Sequence, residues 1–125
     1  MSSTRTYGAS WIGVDLDATL AEHTRWQGHD HIGSPIAAMV ARVQRWLDDG
    51  HTVKIFTARM ANDNSDAIEA RIQRWLVEEA KLPPLECTCV KDMGMIELYD
   101  DRAVQVIPNT GLLLFDVSKA NGVQQ

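Results

Sequence analysis

With only two cysteines in 125 residues, the chain cannot be a scaffold stapled by several disulfides. Cys87 and Cys89 stand two apart in "LECTCVKD". On a strand, side chains at i and i+2 share a face, a poor geometry for a bridge. A zinc site needs further thiolates or histidines at ligand spacing, and none follows. The pair reads as small apolar fillers in a reduced, cytoplasmic protein. No apolar stretch approaches the roughly 20 residues of a membrane span, so no membrane partner is expected. The opening "MSSTRTYGAS" has no apolar signal core, so export is not expected either. Basic residues are also in deficit. Twelve Lys and Arg against 17 Asp and Glu give a formal charge of −5, which argues against broad, charge-driven binding to nucleic acid but leaves room for a local basic pocket. Internal repeats, low-complexity tracts and linkers are all missing.

What remains is an ordinary globular composition, 45% hydrophobic and 23% charged, in a chain long enough to bury roughly two-thirds of its unfolded surface. The expected organisation is a short arm at 1–9, one domain at 10–118 and a tail at 119–125. "SWIGVDL" (10–16) is a compact apolar run that predicts a buried strand. Residues 18–33 have no periodicity and close with "GHDHIGSP", a loop by composition. Ser34 as cap, Pro35 in the first turn and Gly50 as stop predict a helix carrying Ile36, Met39, Val40, Val43 and Leu47 on one stripe. "TVKIFTA" (52–58) predicts a second strand. A second helix begins within Asn62–Ser65, buries Ile68, Ile72, Trp75 and Leu76, and ends at "KLPP". "ECTCV" (86–90), "MIELY" (95–99) and "GLLLF" (111–115) predict three further strands. Early strand–helix alternation implies parallel crossovers and an α/β sheet of five strands.

In such sheets ligands bind beyond the carboxyl ends of the strands, where strand order reverses. Four successive strands end there in ionisable or hydroxyl groups. The first ends in Asp15 and Asp17 with Thr19 after them, and the second in Thr57 followed by Arg59. The third ends in Lys91 and Asp92, and the fourth in Asp100 and Asp101 followed by Arg102. Any one is an unremarkable turn residue; together they would line one crevice. The group suits phosphoryl transfer through an aspartyl-phosphate. A carboxylate attacks a phosphate dianion only if their repulsion is neutralised, and clustered carboxylates do not all stay ionised unaided. A hard divalent cation answers both demands. Mg²⁺ takes oxygen ligands and offsets charge on the transferring group. A lysine and a hydroxyl can hold the remaining phosphoryl oxygens.

"DLDAT" (15–19), Thr57 in "FTAR", Lys91 in "VKD" and Asp100–Asp101 in "LYDDR" resemble, in order, the four motifs of the haloacid dehalogenase superfamily of phosphohydrolases, over residues 12 to 115. That resemblance implies a three-layer Rossmann-like core with a mainly parallel five-stranded sheet. It implies Asp15 as nucleophile and Mg²⁺ ligand. Asp17 becomes general acid and then base, with its main-chain carbonyl on the metal. Thr57 and Lys91 hold the phosphoryl group, and Asp101 is the preferred acidic ligand of the last motif, with Asp100 beside it or acting through water. Ala18 replaces a glycine common in the family, a change between two small residues. The short gaps after the first and third motifs imply a member without a cap domain, similar to small bacterial and phage proteins and to the phosphatase domain of polynucleotide kinase/phosphatase. The implied substrate is a phosphomonoester, either a small molecule or a nucleic-acid end. A homodimer partner could serve as a lid.

The loop "EHTRWQGHDHIG" (22–33) follows the first motif and is the expected substrate lip. Arg25, His29 or His31 is a candidate phosphate contact, and Trp26 either stacks on a base or sugar or packs back onto the first helix. Arg59 is either a two-donor phosphate ligand or the partner of a loop acid such as Asp63. A receiver-like phospho-accepting module is the alternative of another class. In receivers, however, the phosphorylated Asp follows the acid pair in the chain, and no acid two residues beyond it turns the phosphate over. Here D-x-D-x-T comes first and Asp17 occupies that position.

Overall fold

The computed structural model describes residues 9–115. The expected arm, apart from Ala9, and the chain from 116 onward lie outside them.

Trp11–Val14 is buried at every position and forms β1. The chain continues through helix α1 (Ala37–Asp48), strand β2 (Val53–Phe56), a 3₁₀ turn (Ala58–Met60) and helix α2 (Ser65–Glu78). Strands β3 (Cys87–Thr88) and β4 (Met95–Tyr99) complete it. The strands form one parallel sheet in the order β3-β2-β1-β4. Growth runs from β1 to β3 in one direction and then jumps to the other side of β1. The switch point therefore lies between β1 and β4, and there the carboxyl ends of the strands open a crevice.

Both helices pack on the face carrying Ile12, Val14, Val53 and Ile55. The α2 stripe is the predicted one, with Ile68, Ile72, Trp75 and Leu76 all buried. α1 contributes Val43 fully, and Met39, Val40, Trp46 and Leu47 in part. It stops as the sequence implies. Gly50, at φ +89, lets its own N–H reach the Leu47 carbonyl and the His51 N–H reach the Trp46 carbonyl, a Schellman ending.

Three features differ from expectation. The start of α1 is later, because Ser34–Ile36 pairs with residues 20–22: the Glu22 N–H donates to the Ser34 carbonyl and the Ile36 N–H to the Leu20 carbonyl. Ser34 caps nothing. The sheet has four strands among the described residues. "GLLLF" folds back on the preceding segment instead of joining β4, through Ile107 N–H to the Leu112 carbonyl and Leu114 N–H to the Gln105 carbonyl. The intervening "PNTG" places Asn109 and Gly111 at positive φ and so closes a tight turn. Finally, the two described α-helices share one face, so a three-layer core is not formed by these residues. Trp11, Lys54 and Phe56 lie on the other face, with the Lys54 ammonium 4.6 Å from the Trp11 ring.

Candidate functional site

Strand register decides which side chains meet. Val14 lies opposite Tyr99, and the Asp15 N–H donates to the Tyr99 carbonyl at 2.9 Å. Asp15 is thereby set beside Asp100, at the mouth of the switch point. Val14 also lies opposite Ile55, so Thr57 emerges two residues further on at the same edge. Phe56 pairs with Thr88, which delivers Cys89 next to Thr57. A cavity of about 900 Å³ opens over these strand ends. Asp15, Asp17, Thr57, Asp100, Asp101 and Trp26 line it.

Asp15, Asp100 and Asp101 each offer a carboxylate oxygen within 4.8 Å of the other two, a spacing that fits one hard cation with oxygen ligands. Burial and crowding leave their mark on these acids. Burial foremost, then the Asp100 charge and a hydrogen bond with Asp101, pushes Asp15 up to about 7. Asp100 accepts the Arg102 N–H at 2.7 Å, and the Thr19 hydroxyl stands 3.5 Å from Asp101 Oδ1. No described residue donates to the Asp17 carbonyl, so that oxygen is available to a cation as the resemblance requires. Thr57 is buried, and its Oγ1 accepts the Arg59 N–H. Its hydroxyl proton stays available to the cavity.

Asp17 turns away from the other acids toward Arg59. The guanidinium donates Nε to Oδ2 at 2.9 Å and Nη2 to Oδ1 at 2.8 Å. It also donates Nη1 to the His29 carbonyl and Nη2 to the His31 carbonyl. Arg59 is 5% exposed, so this fork is no surface ion pair. Arg59 thus belongs to Asp17 and the loop; it is neither a free phosphate ligand nor the partner of Asp63. His23 Nδ1 stands 3.7 Å from Asp17 Oδ1 on the same wall.

Loop 22–33 has no regular structure, yet side chains from the second half of the fold hold its carbonyls. Besides Arg59, Arg71 donates to the Asp30 carbonyl and the Trp75 indole to the Gly33 carbonyl, each at 2.9 Å. A Cβ at Gly33 would fall on the Glu22 carbonyl, so only glycine allows the loop to close there. This path divides the expected lip. Trp26 does not pack back onto α1; it lines the main cavity. Arg25 and His31 instead face a separate cavity of about 300 Å³, with Glu22 and Glu79. Their side chains are not brought to the acids; the loop residues on that wall are His23, Trp26 and His29.

Lys91 is also not brought there. It is exposed and does not line the main cavity. One residue later, Asp92 already accepts the indole N–H of Trp11, the first residue of β1, at 2.8 Å. The Gly94 carbonyl takes the Trp11 N–H. Residues 89–94 run from the carboxyl edge back to the amino edge and across the sheet, and the Met95 N–H closes a turn onto the Asp92 carbonyl as the chain enters β4. The lysine is carried along with them. Among described residues lining the cavity, Arg102 is the cation that no carboxylate engages. Its position directly after Asp100–Asp101 was the signal for it. Cys89 was missed as a lining residue, because the two-residue β3 ends the strand alternation before it. Cys87 is buried, Cys89 exposed, and both are free.

No family model matches the chain, and no curated protein is significantly similar to it.

Proposed function

We propose that the chain is a Mg²⁺-dependent phosphohydrolase of the haloacid dehalogenase type, without a cap, acting on phosphomonoesters in a reducing cytoplasm. One observation carries the reading: three carboxylates from the ends of two neighbouring parallel strands converge within 4.8 Å on a cavity that also holds Thr57, Asp17 and Arg102. Asp15, Asp100 and Asp101, with the Asp17 carbonyl, would hold the cation. Its chemistry is to offset the charge of the phosphoryl oxygens and to keep the acids ionised. An Asp15 oxygen attacks phosphorus and the bond to the ester oxygen breaks, leaving a phosphoryl group on Asp15. Asp17 gives its proton to the departing oxygen. It then takes one from a water, which attacks the phosphorus, frees inorganic phosphate and restores Asp15. For these steps the Asp17 carboxyl swings from Arg59, which holds both its oxygens at rest, toward Asp15, and each oxygen has a second lone pair for the proton. The Thr57 hydroxyl and Arg102 hold phosphoryl oxygens, and Arg102 takes the part first assigned to Lys91.

Asp17 also favours turnover over a receiver-like module, since it places an acid two residues beyond the nucleophile on the wall of the same cavity. The direct test is hydrolysis of an aryl phosphate by the purified protein with Mg²⁺. Activity lost on chelation and in Asp15→Asn is expected. Activity retained in either case overturns the proposal.

A further inference from the structure

We infer that the exposed ring of Trp26 is a stacking platform for a nucleobase, so that the phosphomonoester is a nucleoside monophosphate or the phosphorylated end of a nucleic-acid strand. This rests on the phosphohydrolase reading above and names its substrate class. Trp26 is 54% exposed, but it is not a loose surface ring. The Arg59 guanidinium carbon lies 4.8 Å from its centroid. The His29 ring meets it nearly edge-on, with centroids 4.7 Å apart and planes at 78°. Arg59 is fixed in turn by its bonds to Asp17, His29 and His31. The ring is therefore seated on a rigid support, while more than half of the residue is left exposed on the wall of the cavity that carries the acids. A ring held this way loses little entropy when a ligand covers it.

The geometry also restricts what can cover it. Burying apolar ring surface is favourable for a flat partner. A bare sugar phosphate offers no flat π face. A neutral base does, and base–aromatic stacking is sequence-tolerant. A polar group for a base edge lies on the same wall: Asn62 uses Nδ2 on the Arg59 carbonyl and keeps Oδ1. At about 900 Å³ the cavity stands at the upper end of small-molecule pockets, far more than a phosphate alone requires.

The test compares kcat/KM for adenosine 5′-monophosphate, a 3′-phosphorylated single-stranded oligonucleotide and ribose 5-phosphate, all with Mg²⁺. At least one base-bearing substrate is expected to exceed ribose 5-phosphate by on the order of tenfold to a hundredfold. The better of the two identifies the source. Trp26→Ala should collapse that ratio toward one, whereas Trp26→Phe, which retains a flat ring, should keep most of it. Equal rates for base-bearing and bare sugar phosphates, or a ratio unchanged in Trp26→Ala, overturn the inference and leave the hydrolase reading intact. A second readout needs no turnover: adenosine should quench tryptophan fluorescence of Asp15→Asn, and the quench should vanish when Trp26→Phe is added. A quench without hydrolysis of any phosphate would sink the hydrolase reading while the platform stands.

Discussion

Arg59 grips Asp17 by both carboxylate oxygens from a position almost closed to solvent, and the same guanidinium holds the carbonyls of His29 and His31. The candidate acid/base and the loop over the site are thus fixed by one side chain. Removing it leaves a half-buried carboxylate and two carbonyls without donors.

Arg59→Ala should therefore cost about 3 kcal/mol and lower Tm by roughly 10 °C. Arg59→Lys keeps the charge but lacks the planar fork, and should recover only part of that loss. Thermal denaturation of both variants measures it. A loss under about 0.5 kcal/mol for alanine, the range of ordinary surface changes, would contradict the role assigned to Arg59.

Ala18 sits at φ +69, the left-handed region where a Cβ is strained. The glycine that the resemblance would place there matters for conformation, a point that a comparison of side-chain size alone overlooks. Ala18→Gly should stabilise the protein by about 0.5–1 kcal/mol, the relief of strain exceeding glycine's extra unfolded-state entropy. Urea denaturation with an unchanged m-value is the measurement. Destabilisation would show that the backbone carries no such strain.

Asp15 has its carboxyl raised from 3.8 to about 7, chiefly by burial. A group raised in the folded state binds its proton more tightly folded than unfolded. Its stabilising contribution is full below about pH 4 and is lost as pH rises through 7. In metal-free buffer, Asp15→Asn should match the parent near pH 4 and exceed it in Tm by several degrees at pH 8. A difference that stays flat with pH would contradict the crowding of these acids.

Cys87 is buried, and desolvation followed by the charges of Glu69 and Glu86 pushes its thiol up to about 12. Cys89 is exposed. Iodoacetamide at pH 8 should label Cys89 alone in the folded protein and both residues in urea. Equal labelling without urea would place Cys87 at the surface.

Local pattern carried much of the fold. Ile68, Ile72, Trp75 and Leu76 share a helical face because their spacing permits nothing else. Gly50 ends α1 because only glycine enters that turn readily. Asp15, Thr57, Asp100 and Asp101 fall together because parallel register aligns strand ends. Local pattern failed where the path of the chain decided the outcome. Lys91 has the right neighbours in sequence, yet the crossover to Asp92 and Trp11 carries it away. Arg25 and His31 sit in the right loop, but side chains from distant elements capture that loop's carbonyls and turn them aside. Arg59 stands on the site wall, yet its acceptor, Asp17, lies 42 positions away, beyond any local signal. "GLLLF" has the composition of a strand, but the "PNTG" turn claims its backbone first.

Mass spectrometry of the active-site peptide during turnover tests the central claim most directly. The Asp17→Asn protein is mixed with an aryl phosphate and Mg²⁺, quenched in acid, digested and mapped. The account predicts one phosphoryl group on Asp15, removed by hydroxylamine and never formed in Asp15→Asn. Hydrolysis by the parent protein, with no phosphorylated Asp15 trapped in the parent or the variant, would contradict it.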